Sequence, residues 1–286
     1  MKFENPPLPE GINVSASRPV CDFFSITVAV VATAAVATAV LYWIAGYFAA
    51  RVPFALEARL ANQFIKPQTE VSETRTALQD LINRLVPHLD LPSGMTIRLH
   101  YDEGDTVNAL ATLGGNMFMY AGLLERIPHE NALAMVLAHE ISHVKHRDAT
   151  VSAGRGVTLA LALSMVSSGA GDAVASTVIG STSSLTGLSF NREQELQADE
   201  SALAAVAKLY GHVGGAADLF RLFQKLYGDA PRAEPPRFLA THPLTQARID
   251  RLVAIAAKHG WATEGPVTPL AAALRVKAKK EDKKSP

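Results

Sequence analysis

Two histidines four residues apart with a glutamate after the first, His139-Glu140-Ile141-Ser142-His143, form an H-E-x-x-H motif within a stretch of helical periodicity. On a helix, residues four apart share a face with Cβ atoms about 5–6 Å apart, so both imidazoles can bind one metal ion. Zinc suits this set: neutral imidazole is a good ligand, and a catalytic site stops at three protein ligands so that water holds the fourth place. Glu140 is then placed to take the proton of that water as it attacks a carbonyl carbon, while the metal stabilises the oxyanion. The surrounding sequence, AMVLAHEISHV, is apolar. Two imidazoles and a carboxylate buried there without a partner would be costly, so surface histidines fit poorly.

A third ligand should come from a second helix, and Asn191 to Asp199 reads NREQELQAD before a run rich in alanine. Glu195 and Asp199 are four apart and share a face, so Glu195 is expected to bind the metal while Asp199 accepts the N–H of a ligating histidine. Glu193 competes for the ligand role. It would point about 200° around the helix from Glu195, away from Asp199, which favours Glu195. Alone, these acids would be read as the solvated face of a helix.

The elements that position these residues follow from periodicity. Glu70 to Leu89 places Val71, Ala77, Leu78, Leu81, Ile82, Leu85 and Val86 at helical spacing. The runs MTIRLHY from Met95, VNALATL from Val107 and NMFMY from Asn116, with Gly114-Gly115 between the last two, predict a small antiparallel sheet with a hairpin. Helical periodicity returns from His129 to His146 and dominates through Lys258. The fold class is therefore α+β and mainly helical. No internal repeat, GxGxxG or P-loop is present, which argues against a nucleotide-binding enzyme.

Ahead of all this, Phe23 to Ala50 gives 28 residues without a charge, more than the roughly 20 a helix needs to cross a bilayer. Phe23 and Phe24 at one end and Tyr42, Trp43 and Tyr47 toward the other suit the lipid–water boundary. The reading is one N-terminal transmembrane helix. A cleaved signal peptide would have a basic start and a shorter apolar run, whereas 22 mixed residues with Pro6, Pro7 and Pro9 precede this one. Flanking positive charges are nearly balanced and leave the side of the membrane open. With 27 Lys+Arg against 27 Asp+Glu the formal net charge is +0, which gives no field for nucleic acid. The lone thiol, Cys21, cannot form an internal disulfide.

HEISHVKHRD, the ELQAD segment, NALATLGGNMFMYAGLL and THPLTQARIDRL span most of Val107 to Leu252. Together they resemble the HtpX-like and CAAX prenyl protease family of membrane-associated zinc metallopeptidases. The resemblance implies a gluzincin, zincin-like domain with one zinc held by His139, His143 and Glu195, Glu140 as general base and Asp199 behind the ligands. It also implies that His242, in THP, approaches the metal to stabilise the transition state or gate the site, and that Arg248 is a nearby structural or substrate contact. The strand before the motif helix, with Asn108 and Ala109 toward the cleft, would receive the substrate backbone as an added strand. An ordinary edge strand is the plainer alternative. Prenyl-processing relatives and HtpX itself have several spans, whereas this chain has one convincing span. It is more similar to single-anchor bacterial members that degrade misfolded proteins, which implies protein or peptide substrates, a lipid bilayer and the bacterial inner membrane.

The expected organisation is a tail over 1–22, the transmembrane helix over 23–50, a linker over 51–68, the metallopeptidase domain over 69–260 and a flexible basic tail over 261–286. Within the domain, 156–190 is nearly uncharged and reads as a helical hairpin that dips into the membrane or acts as a lid, or else as buried core helices. The predicted function is a membrane-anchored zinc-dependent metalloendopeptidase. Its rivals are a membrane-tethered zinc-containing chaperone or adaptor without turnover, and a zinc hydrolase of non-peptide amides.

Overall fold

The structure is a computed structural model and describes residues 18–166, 190–227, 236–243 and 245–279. The second half of the expected apolar hairpin, the N-terminal tail up to residue 17 and the last basic residues lie outside the described residues.

Helix α1, Pro19–Ala49, reaches a mean hydropathy of 2.2 with none of that stretch buried, and is long and apolar enough to cross a membrane. The segment expected as a linker is instead largely helical. Helix α2, Phe54–Phe64, turns Glu57, Ala58 and Ala61 inward. The physical reason is a pattern the prolines on either side obscured: small side chains at helical spacing let α2 dock closely on the turn at Gly114. Helix α3, Glu73–Leu85, starts at a Ser72 cap that accepts the Arg75 N–H and buries Leu78, Leu81, Ile82 and Leu85.

Three strands follow: β1, Arg98–Asp102; β2, Ala109–Ala111; and β3, Asn116–Tyr120. Their order is β1-β3-β2. The hairpin of β2 and β3 is antiparallel, with Leu110 opposite Phe118. The all-antiparallel expectation is corrected at β1, which pairs parallel with β3, Leu99 opposite Met117. With β3 in the centre, the chain leaves one edge at Asp102 and returns up the other at Ala109, so the two outer strands run oppositely.

After α4, Ala121–Leu124, comes the motif helix α5, Glu130–His146, with its positions from Glu130 to Val144 buried. It ends at Arg147 in the left-handed conformation (φ 63°), and α6, Asp148–Val166, begins at once. Helix α6 packs along α1, with Gly154 against Ala45 and Ala49. Helix α7, Arg192–Tyr210, is started by an Asn191/Gln194 capping box and lies along α5, with its alanines Ala198, Ala202 and Ala205 buried. Helices α8, Asp218–Tyr227, α9, Arg237–Thr241, and α10, Gln246–His259, close the core around Phe220, Phe223 and Phe238.

Residues 261–279, expected to be a flexible basic tail, are laid onto the domain. Leu270 and Leu274 are buried, Thr268 exchanges hydrogen bonds with Glu130 and Asn131, and the Lys279 N–H donates to the Glu103 carbonyl. Two apolar anchors and paired backbone groups outweigh the solvating pull of Lys277 and Lys279.

Candidate metal centre

Helix α5 places His139 and His143 on one face, and α7 brings Glu195 and Asp199 against it, all buried. Nε2 of His139 and Nε2 of His143 are 3.0 Å apart. Glu195 stands beside both, with Oε2 3.6 Å from His139 Nε2 and Oε1 3.4 Å from His143 Nε2. Nδ1 of His242, at the end of α9, is 3.2 Å from His139 Nε2 and 2.8 Å from Glu195 Oε1. The possible ligand atoms of His139, His143, Glu195 and His242 lie within 4.8 Å of one another. Glu193, the competitor for the third ligand, is exposed and accepts a hydrogen bond from Gln197.

The outer ring of contacts decides which ring nitrogens face inward. His139 Nδ1 is 3.0 Å from Asp199 Oδ1, and His143 Nδ1 is 2.8 Å from Asp148 Oδ2. Each carboxylate accepts a hydrogen bond from Nδ1–H, so both Nε2 atoms face the same point, next to a carboxylate. Lone pairs 3.0 Å apart in a dry interior repel unless a positive charge lies between them. Two imidazoles and one carboxylate are the donor set a zinc-type cation favours, so these residues fit a metal.

The proton affinities express the same demand. Burial pushes the His139 imidazole down, with Glu195 and Asp199 opposing. Burial opposes protonation of His143 as well, yet hydrogen bonds to Asp148 and Glu195 and the charge of Glu140 lift it to about 9. Burial would raise Glu195, but His242, His139 and His143 hold it far below the ordinary carboxylate range. Asp199 is likewise held down against its burial by Arg248 and His139.

Glu140 is fully buried; its Oε2 accepts the Ala111 N–H at 2.7 Å, while Oε1 stands 3.3 Å from His242 Nε2. The edge strand β2 is thus tied to the motif helix through the glutamate next to the first ligand. Asn108 and Ala109 are buried at the start of this strand, and the Phe238 N–H donates to the Val107 carbonyl just before it. The short helix carrying His242 therefore begins against the strand that carries Asn108. Arg248 donates through Nε and Nη2 to Asp199 at 2.7 and 2.8 Å, and its Nη1 is 2.7 Å from Glu195 Oε2. These contacts tie Arg248 to both carboxylates.

Three participants escaped the sequence reading. Asp148 links His143 to the start of α6 and accepts a second hydrogen bond from Gln194 at 3.0 Å. Phe190 stacks on His143 with centroids 4.0 Å apart. Glu57 of α2 accepts the Gly114 N–H at 2.6 Å and pairs with Arg147 at the end of α5. Only Asp148 had a signal, a carboxylate directly after the motif helix.

A buried His-Glu-His helix crossed by a second, acidic helix and flanked by an edge strand defines a zincin-like metallopeptidase domain. More narrowly, residues 72–256 match peptidase family M48, and the chain belongs to that family. Protease HtpX homolog 1 of Streptomyces coelicolor is 30% identical over 264 residues, 77% of this chain and 80% of that protein. The beta-barrel assembly-enhancing protease of Escherichia coli K12 is 32% identical over 157 residues, 51% of this chain. That match spans 31% of the relative's own length. The mitochondrial metalloendopeptidase OMA1 of Schizosaccharomyces pombe is 26% identical over 176 residues, 60% of this chain and 51% of the relative.

Proposed function

We propose that this chain is a membrane-anchored, zinc-dependent metalloendopeptidase, with His139, His143 and Glu195 as ligands and misfolded or membrane-associated proteins as substrates. The observation that carries the reading is the pair of inward-facing Nε2 atoms beside Glu195, with Glu140 Oε1 turned to the same place. Zinc, when bound, supplies Lewis acidity toward water and the scissile carbonyl. Glu140 takes the proton at Oε1, and its bond to Ala111 fixes the carboxylate so that Oε2 does not compete. Asp199 and Asp148 hold the two imidazoles in the ligating tautomer. Arg248 pairs with Asp199 and Glu195 together, which lowers the cost of burying the two carboxylates. Strand β2 from Ala109, with Asn108 just before it, receives the client backbone. Helix α1 supports the membrane reading by its length and exposure, and the names of the relatives suggest clients caught in β-barrel assembly as one class.

His242 favours a second reading. Its Nδ1 within the ligand group would complete four protein ligands, the pattern of a structural zinc site and of a tethered chaperone without turnover. Casein cleavage by the detergent-purified full chain, beside Glu140→Gln and His242→Ala with zinc quantified in each, separates the two. The peptidase reading expects cleavage by wild type or His242→Ala and nearly none by Glu140→Gln at equal zinc. Zinc retained with no cleavage by any of the three would favour the chaperone.

A further inference from the structure

Helix α2 has three faces. Glu57, Ala58, Ala61 and Ile65 at its end are buried against the domain. At about 100° per residue, Leu56, Leu60 and Phe64 fall together on a neighbouring stripe about 80° wide, and Arg59, Asn62 and Gln63 occupy the third face. The stripe is exposed at 47, 47 and 41%. Among the described residues beyond α1, the other exposed large apolar residues are Leu159 on α6, Leu226 on α8, Val253 on α10, and Val71 and Val267 outside any helix or strand. Leucine and phenylalanine repeated every four residues on one open face need a reason, because scattered single residues are the ordinary case.

We propose that this stripe is a membrane-surface contact: α2 lies in the lipid–water boundary with Leu56, Leu60 and Phe64 in the acyl edge of a phospholipid bilayer. The inference rests on the reading of α1 as the membrane anchor, and continuity with α1 selects lipid as the occupant. Only residues 50–53 separate the two helices. A chain covers at most about 3.6 Å per residue, so the five steps from Ala49 to Phe54 put the start of α2 within about 18 Å of the end of α1. That end bears boundary residues: Trp43 stacks on Tyr47 at 5.8 Å, and the Arg51 guanidinium lies 3.4 Å over the Tyr47 ring.

Charge agrees. The one carboxylate of α2, Glu57, is turned inward and paired with Arg147, while Arg51, Arg59 and Lys66 are exposed to meet headgroup phosphates. A second copy of the chain suits the stripe less well. Three half-exposed side chains cover far less than the about 600–1,000 Å² per partner that a stable interface buries. Docking here has a consequence for the site. Because Glu57 also holds the β2–β3 turn at Gly114 and the end of α5 at Arg147, a seated α2 fixes the edge strand and the metal helix relative to the bilayer. The clients so favoured are segments at the membrane surface.

The test uses the full chain in phosphatidylcholine/phosphatidylglycerol vesicles with the exposed Cys21 replaced by serine. Single cysteines at Leu60→Cys, Asn62→Cys and Val30→Cys carry an environment-sensitive fluorophore, quenched by lipids with nitroxides at shallow or deep positions. We expect shallow nitroxides to quench Leu60→Cys at least twofold more than Asn62→Cys, and deep ones to quench Val30→Cys. Equal quenching at positions 60 and 62, with Val30→Cys still quenched, would overturn this proposal and leave the anchor standing. No quenching at position 30 would remove the anchor reading and this inference with it. Emission at position 60 that follows protein concentration and ignores lipid would assign the stripe to a second copy, which also overturns it.

Discussion

Replacing Asp148 with asparagine should weaken zinc binding while leaving all three proposed ligands in place. Asp148 meets two demands, accepting from His143 Nδ1 at 2.8 Å and from Gln194 Nε2 at 3.0 Å. An asparagine has one carbonyl oxygen and no charge, so one of the two bonds is lost and the other weakened. A hydrogen bond to a charged group contributes about 1.5–3 kcal/mol, equivalent to about 10–150-fold in affinity. That matches the about 10–100-fold typical of losing the partner behind a metal-bound histidine. A counter-effect makes the prediction pH-dependent. Asp148 helps hold the His143 proton up to about 9, and zinc must displace that proton at neutral pH. The variant holds the proton less tightly, which offsets part of the loss near pH 7 and none of it above about 9. Zinc affinity by chelator competition at both pH values reads this directly, with circular dichroism to check the fold. An unchanged affinity at both would refute the role of Asp148, and an equal loss at both would refute the proton competition.

Other perturbations test other parts of the framework. Arg248→Met leaves Asp199 and Glu195 without their shared cation, and we expect about 3–5 kcal/mol of destabilisation in urea unfolding of the metal-free protein; less than about 1 kcal/mol would show that the clamp is dispensable. Gly94→Ala and Gly115→Ala separate two costs. Both glycines have positive φ, worth about 1–2 kcal/mol to alanine, but a Cβ at Gly115 would also stand 2.0 Å from the Thr96 carbonyl oxygen while Gly94 has open space around it. Gly115→Ala should therefore reduce the yield of folded protein and Gly94→Ala should lower the midpoint only modestly; equal effects would contradict the packing at the β2–β3 turn. The buried His100, bonded to Asn116 Oδ1 at 2.8 Å, is pushed below its ordinary 6.5 by burial. The unfolded chain then binds the proton first, so stability falls as pH drops through about 6.5, by at most about 1.4 kcal/mol per unit, and His100→Gln should flatten the urea midpoint between about pH 7 and 5.

How much of this was legible in the sequence depends on distance along the chain. His139 with His143, and Glu195 with Asp199, are pairs four apart on helices, so spacing alone placed each pair on one face. The hairpin of β2 and β3 was legible because a glycine pair separates two short alternating runs. The parallel pairing of β1 was not, since Leu99 meets Met117 only through a register no local pattern encodes. Asp148 reaches His143 because Arg147 adopts a left-handed turn, a backbone event that periodicity does not show. Helix α2 was hidden by Pro53 and Pro67, and by two apolar faces that blur its period. Residues 261–279 looked solvated because their two leucine anchors stand far apart in sequence from the helices they pack on, while Arg275, Lys277 and Lys279 lead into a lysine-rich end.

The packing of 268–279 also orders events in time. These residues cap the first turn of the metal helix at Glu130, accept a hydrogen bond from Thr74 at Ala273, and join Lys279 to Glu103. Each contact reaches back more than a hundred residues, Thr74 to Ala273 by 199. On a ribosome that adds about 5–20 residues per second, helix α1 and the helices α5 and α7 that carry the candidate ligands emerge before the segment that fastens them. The catalytic framework therefore cannot be fully locked during its own synthesis. Closure of this latch, and with it the full bracing of the candidate metal site, falls after α1, α5 and α7 have all been made.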